Sequence, residues 1–323
     1  MTYRMVNGKV ETPEGCEINV AYHCNLGCAS CSHLSPAFTR SLADPETIAR
    51  DLDLLARSFR ARFVKVLGGE PLLHPRLVEI LHAVRASGVA PRILVCTNGV
   101  LLPRAGEDFW AAVDEVEISV YPGRELGQEQ RERVEARAAE HGVTLTVAHY
   151  SHFRYSYSEH GTDDDHLVRR IYTTCQIAHV WRCHTVYEGH FFTCPQSVFI
   201  PQVLADRDDI WADALPLSDD PGFARRLLDH LRRPEPLRAC RNCMGSVGRL
   251  MPHQQRTRRD FRIPQQHTTE ELADRRFLTL LEATPDADDG CAAAPATLLP
   301  SPSSRTTDLR TPSPRTPSLR KRS

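Results

Sequence analysis

A parallel β-sheet wound with crossover helices, in the form of a partial (β/α) barrel, is the α/β fold class this sequence predicts. From residue 16 to residue 150, short runs rich in β-branched residues alternate with helical stretches. Five such units follow one another. Ligand-type motifs stand just past the carboxyl ends of the strands, where barrels of this kind place their chemistry. A flat doubly wound sheet is the competing arrangement.

The first strand spans 17–21 and runs into a cysteine-rich loop, followed by a helix at 44–57 with Asp44 as its cap. Strand 63–67 ends on Gly68-Gly69-Glu70-Pro71 and leads to helix 76–87. Strand 92–96 ends on Thr97-Asn98-Gly99 before helix 105–113. Strand 116–121 carries Ser119 and precedes helix 125–141, which Gly142 terminates as a C-cap, and strand 143–148 completes the series.

Residues 151–174 are polar and aromatic and read as a loop with a short helix at 165–172. Residues 182–187 and 190–193 alternate around Glu188-Gly189, the pattern of a β-hairpin. Helices are expected near 222–232 and 269–282. From 285 onward the chain is rich in Ala, Pro, Ser, Thr and Arg and too poor in large apolar residues to offset ordering entropy, so a disordered tail is expected. The predicted division is a core at 1–170, a small hairpin–helix domain at 171–250, a helical segment at 251–284 and the tail at 285–323.

The 323 residues are 41% hydrophobic, enough to bury a sizeable core. Forty basic against forty-one acidic residues give a formal net charge of -1, which speaks against nucleic acid or an anionic membrane as partner. The first twenty residues scatter charges among apolar positions, unlike a signal peptide, and no apolar run reaches the ~18 residues of a membrane helix. A cytoplasmic protein with a small-molecule substrate is therefore expected. Eleven cysteines in a reducing compartment point to metal or redox chemistry rather than disulfides.

The strongest motif is Cys24-Asn25-Leu26-Gly27-Cys28-Ala29-Ser30-Cys31. Three thiolates hold three irons of a [4Fe-4S] cube, which ordinarily takes four, and so leave one iron open. The amino and carboxylate groups of S-adenosylmethionine can chelate that iron. A structural zinc loop is the competing reading, but zinc wants a fourth ligand nearby. A second group is Cys175, Cys194, Cys240 and Cys243, with Cys183 as the alternative to Cys175 and a four-cysteine zinc site as the alternative to a cluster. Cys16, Cys96 and Cys291 read as buried or incidental thiols.

The C-x3-C-x2-C spacing after the first strand, joined to the Gly-Gly-Glu and Thr-Asn-Gly turns, resembles the radical S-adenosylmethionine superfamily over roughly residues 15–200. The resemblance implies that the cluster cleaves S-adenosylmethionine to a 5′-deoxyadenosyl radical, with an electron donor such as flavodoxin or ferredoxin. It implies that Gly68, Gly69 and Glu70 contact the amino group of S-adenosylmethionine, and that Thr97, Asn98 and Ser119 line its ribose and carboxylate. One position departs from the family: Ser30 stands where an aromatic residue usually packs on the adenine, a task left to His33 or Phe38.

The second cysteine group resembles in spacing the twitch domain, a shortened SPASM domain that binds an auxiliary [4Fe-4S] cluster. That likeness, and the short stretch before the first strand, imply a sugar, cyclitol or nucleoside substrate of an antibiotic pathway, foremost decarboxylation of a uronic-acid nucleoside such as cytosylglucuronate. Sugar dehydrogenation or diol dehydration, modification of a ribosomal peptide, and a non-catalytic iron–sulfur protein are the alternatives. His33 and Arg154 are the candidate catalytic residues, Arg154 or Arg124 supplying a cation for a carboxylate.

Overall fold

The computed structural model describes residues 3–204, 207–257, 259–263, 266–287 and 296–297. The five expected strands are β1 (Cys16–Ala21), β2 (Val64–Gly68), β3 (Ile93–Thr97), β4 (Glu115–Val120) and β5 (Thr144–His149). Between them lie α1 (Pro45–Ala56), α2 (Leu77–Ser87), α3 (Glu107–Ala112) and α4 (Gln128–His141). Asp44 caps α1 by accepting from the Thr47 N–H, and Gly142 ends α4 in the left-handed region.

These strands are parallel and pair in chain order, each with the next. Because the order never reverses, right-handed crossovers carry every helix to the same face, which gives a barrel-type sheet rather than a doubly wound one. Alternate strand residues fit that winding. Ile18, Val20, Val64, Val66, Ile93, Val95, Val116 and Ile118 are buried in one core with Leu52 and Leu55 of α1, Ile80 and Leu81 of α2, Trp110 of α3 and Val134 of α4. Glu17, Asn19, Lys65, Cys96, Glu117 and Ser119 have the opposite parity and face the concave side.

The hairpin forms as β6 (His184–Tyr187) and β7 (His190–Phe192), and Glu188 and Gly189, both at positive φ, make its turn. Strand β6 pairs parallel with β1, Thr185 opposite Glu17, so the hairpin extends the barrel sheet. Strand β8 (Ala214–Pro216) continues it beyond β7. Phe191 is buried in the main core together with Phe223, Leu227 and Leu231, so the predicted helix here, Phe223–Leu231, packs there too.

The segment 251–284 differs from expectation. Leu250–Pro252 is a strand paired antiparallel with His152–Arg154, where a loop was expected. The helix expected at 269–282 is broken into Thr269–Leu272 and Arg275–Ala283, because Asp274 leaves helical geometry to cap the second piece through the N–H groups of Arg276 and Phe277. The tail expected from 285 lies mostly outside the described residues, as does Cys291. Pro285 and Ala287 nevertheless accept hydrogen bonds from the Gln176 amide, and Ala296–Thr297 adds an antiparallel strand to β5.

Candidate functional site

The loop after β1 carries Cys24, Cys28 and Cys31, with Cys28 buried and the other two half-buried. The three thiols are electrostatically coupled, and burial pushes Cys24 and Cys28 each up to about 12 as free thiols. Deprotonating them therefore needs a cation, which a metal centre supplies. Among the described residues no three thiols lie within 4.8 Å of one another. The sulfurs of a tetrahedral zinc site stand about 3.8 Å apart, given zinc–sulfur bonds of about 2.3 Å. Three thiolates on one loop, with no fourth protein ligand named beside them, match a cube whose thiolates are held by different irons.

The Gly-Gly-Glu turn seats this loop. Gly69 N–H donates to Ala21 O (2.6 Å) and Glu70 N–H to His23 O (3.2 Å). A Cβ on Gly68, whose φ is +141°, would meet Ala21 O at 2.3 Å, and one on Gly69 would meet His23 O at 2.1 Å. The glycines are thus required by the close approach of the cysteine loop itself.

Glu70 is fully buried. Its carboxylate accepts from Leu72 N–H (3.0 Å), Thr97 Oγ1 (2.7 Å) and Asn98 N–H (2.9 Å), which ties the second turn to the third. Burial pushes its pKa up to about 7, against the pull of those three donors. Glu70 is thereby enclosed as a latch between turns. Gly68 and Gly69 remain half-exposed. Asn98 turns its amide to Asn25 Oδ1 (2.7 Å) and, more weakly, to Cys24 Sγ (3.5 Å). Ser119 is half-exposed and hydrogen-bonded to Tyr121, whose half-buried ring is coupled to Cys28 and Cys31.

A strap from the far end of the chain crosses the cysteine loop, and nothing in its sequence announced it. Ala29 N–H donates to Gln254 O (2.8 Å) and Arg256 N–H to Gly27 O (2.7 Å). The Gln255 side chain accepts from Gly27 N–H (2.8 Å) and donates to Cys28 Sγ (3.3 Å). Ser30 Oγ contacts Met251 Sδ at 3.0 Å, and the His253 ring stacks on Tyr121 with centroids 4.9 Å apart. A Cβ on Gly27 would meet Arg256 O at 2.1 Å, so this glycine serves the strap.

The four cysteines 175, 194, 240 and 243 line one small cavity together with Tyr172, Gln196 and Gly245. Cys194 and Cys240 are each coupled to the other members of the group, and burial holds all four thiols above their ordinary range. Cys183 is coupled chiefly to Glu17 and Lys65 on the concave face and more weakly to Cys194, and it does not line this cavity. Two short paths join the cavity to the first loop. Gln196 Nε2 donates to Ser32 O (3.3 Å), while Ser156 Oγ donates to Cys31 O (3.4 Å) and Ser156 O accepts from Met244 N–H (3.1 Å).

His33 and Phe38 sit in an aromatic cluster around Phe199, at centroid distances of 5.8 and 5.9 Å. Burial pushes His33 down to about 4 and keeps its imidazole neutral, with Nε2 unpartnered among the described residues. Arg154, the candidate partner of a substrate carboxylate, packs its side chain against the C-terminal helix. Its guanidinium lies over the Phe277 ring (4.1 Å), donates to Gly248 O (2.7 Å) and stands 3.7 Å from Asp274, bracing the C-terminal helix. Arg124 is exposed on the rim.

Residues 18–143, about two fifths of the chain, match the Radical SAM superfamily, and the sheet they build has that fold. The family that matches this segment uses a [4Fe-4S] cluster with S-adenosylmethionine. Among curated relatives the chain is similar to GTP 3′,8-cyclase of Chlorobaculum tepidum (38% identity over 88 residues, 27% of this chain and 26% of the relative). It is also similar to GTP 3′,8-cyclase of Streptomyces coelicolor (32% over 109 residues, 32% and 31%) and to the probable GTP 3′,8-cyclase of Metallosphaera sedula (34% over 111 residues, 33% and 34%). The chain thus spans about a third of the length of the curated relatives it matches, and these are not cytosylglucuronate decarboxylases. Similar solved structures include BtrN in complex with AdoMet and 2-DOIA (14% identity, 69% of this chain and 83% of that one, TM-score 0.35). Another is Streptococcus suis SuiB bound to S-adenosylmethionine (14%, 71% and 67%, TM-score 0.38). No helix among the described residues is long and apolar enough to cross a membrane.

Proposed function

We propose that this chain is a radical S-adenosylmethionine enzyme acting on a neutral polyhydroxylated ring, a sugar, a cyclitol or the sugar of a nucleoside. The observation that carries the enzymatic part is the seating of Cys24, Cys28 and Cys31 on one loop fixed by the Gly69, Glu70 and Asn98 contacts. When bound, the cluster and S-adenosylmethionine supply reductive cleavage and a carbon radical able to remove hydrogen from an unactivated C–H bond. The chain's own share is to hold three thiolates apart, exclude water and aim one C–H.

The substrate class rests on the concave face. Lys65 is coupled there to Glu17 and Glu117, and one Glu17 oxygen, both polar atoms of the Asn19 amide and His33 Nε2 are buried without partners among the described residues. Unpartnered groups of both kinds, with a cation flanked by two carboxylates, suit vicinal hydroxyls better than a net charge. The engagement of Arg154 with the C-terminal helix supports dehydrogenation or dehydration of a neutral ring over decarboxylation. The cysteines 175, 194, 240 and 243 would hold an auxiliary [4Fe-4S] cluster in a twitch-like arrangement, and a flavodoxin or ferredoxin would supply the electron.

A second reading is a nucleotide substrate, favoured by the names of the curated relatives. Against it, Lys65 on the concave face is coupled to Cys96, Glu17 and Glu117, which offset its charge toward a triphosphate. The test is anaerobic reconstitution of the full chain. It is expected to bind about eight iron and eight sulfide, four of each per cluster. Replacing Cys24, Cys28 and Cys31 by Ala should halve the iron and abolish 5′-deoxyadenosine formation. Unchanged formation in that variant would refute the proposal. Deuterium transferred to 5′-deoxyadenosine from ring-labelled cyclitols, and not from GTP, would decide the substrate class.

A further inference from the structure

The strap places one side chain in hydrogen-bond reach of a cysteine of the first loop, and its orientation is fixed by its other contacts. Gln255 Oε1 accepts from Gly27 N–H at 2.8 Å, a bond only the amide oxygen can make, so the NH2 group must face the other way. There Nε2 lies 3.3 Å from Cys28 Sγ and 3.2 Å from His253 Nε2, an acceptor when that ring carries its proton on Nδ1. The backbone on both sides is locked by Ala29 N–H to Gln254 O and Arg256 N–H to Gly27 O. Asn98 is the weaker partner of its cysteine, since its amide is already given to Asn25.

We infer that Gln255 is a positioning residue that donates a hydrogen bond to the Cys28 thiolate and thereby raises the reduction potential of the cluster this loop would hold. The inference rests on the cluster assignment proposed above. The physical reason is charge. An added electron increases the negative charge on the cluster and its sulfurs, and a donor aimed at a ligand sulfur stabilises the reduced state more than the oxidised one. Because the donor comes from residue 255, the C-terminal segment conditions the electron uptake of a centre built by the first βα unit.

The test is an EPR-monitored redox titration of the reconstituted full chain, following the signal that Cys24→Ala removes. Gln255→Leu deletes donor and acceptor. Gln255→Glu keeps an oxygen for Gly27 N–H, deletes the donor and adds negative charge. Both variants are expected to shift the reduction equilibrium toward the oxidised state by at least about tenfold, about 59 mV for one electron, with the Glu variant shifted further. Should Gln255→Leu fail to load iron, Gln255→Glu decides alone. Wild-type potentials in the loaded variants, whatever their iron content, would overturn the assignment to Gln255. A wild-type chain with no cubane signal would overturn both this inference and the cluster assignment beneath it.

Discussion

Replacing Gly69 by Ala tests whether the second turn truly seats the cysteine loop. The added Cβ would stand 2.1 Å from His23 O, 2.4 Å from His23 C and 2.9 Å from Cys24 N. All three are backbone atoms, so no side-chain rotation relieves the overlap, and the loop must retreat by roughly 1 Å or more to reach ordinary contact. That movement breaks or strains Gly69 N–H to Ala21 O and Glu70 N–H to His23 O. Overpacking of this kind costs about 1–3 kcal/mol and each lost hydrogen bond about 1 kcal/mol, for an expected loss of about 3–5 kcal/mol. Urea unfolding of the apoprotein reads the loss, and iron bound on reconstitution reads the displacement of Cys24. A Gly69→Ala chain that unfolds at the wild-type midpoint and loads wild-type iron would refute the seating argument.

Two further outcomes follow from buried charge. The folded-state pKa of Glu70, about 7, lies above its ordinary 4.5, so the native state holds the extra proton between those values and stability falls as pH rises through that window. Glu70→Gln should flatten this decline by up to about 3 kcal/mol, as read by urea midpoints at pH 5 and pH 8; an equal decline in both chains would contradict it. Arg154→Met should lower stability by about 1–3 kcal/mol through loss of the Phe277 and Gly248 contacts and leave KM unchanged; a raised KM at full stability would return Arg154 to the substrate site.

The five strands and four helices of the barrel were legible because each is a local pattern. Periodicity, the Asp44 cap and the Gly142 terminator act within a few residues of where they stand. The hairpin was legible for the same reason, in the Glu188-Gly189 turn. Its partner was not, since pairing β6 with β1 joins residues far apart in the chain, and an isolated alternating segment does not name the edge it will meet. Helix 269–282 was misjudged at Asp274, a residue that is mediocre inside a helix and strong as a cap.

The sequence by itself determined which atoms were present for chemistry: three thiols on one loop, four more downstream, and glycines where chain segments must touch. Covalent spacing alone brings Cys24, Cys28 and Cys31 together, so no knowledge of the fold was needed to read them. Only the tertiary structure decided what each remaining group does. It turned Arg154 onto Phe277, drew Glu70 into a latch between two turns, sent Cys183 to the concave face and laid Gln255 against Cys28. Those outcomes depend on contacts across as many as 227 residues of separation, and the free energy of such contacts belongs to the packed chain rather than to any segment of it.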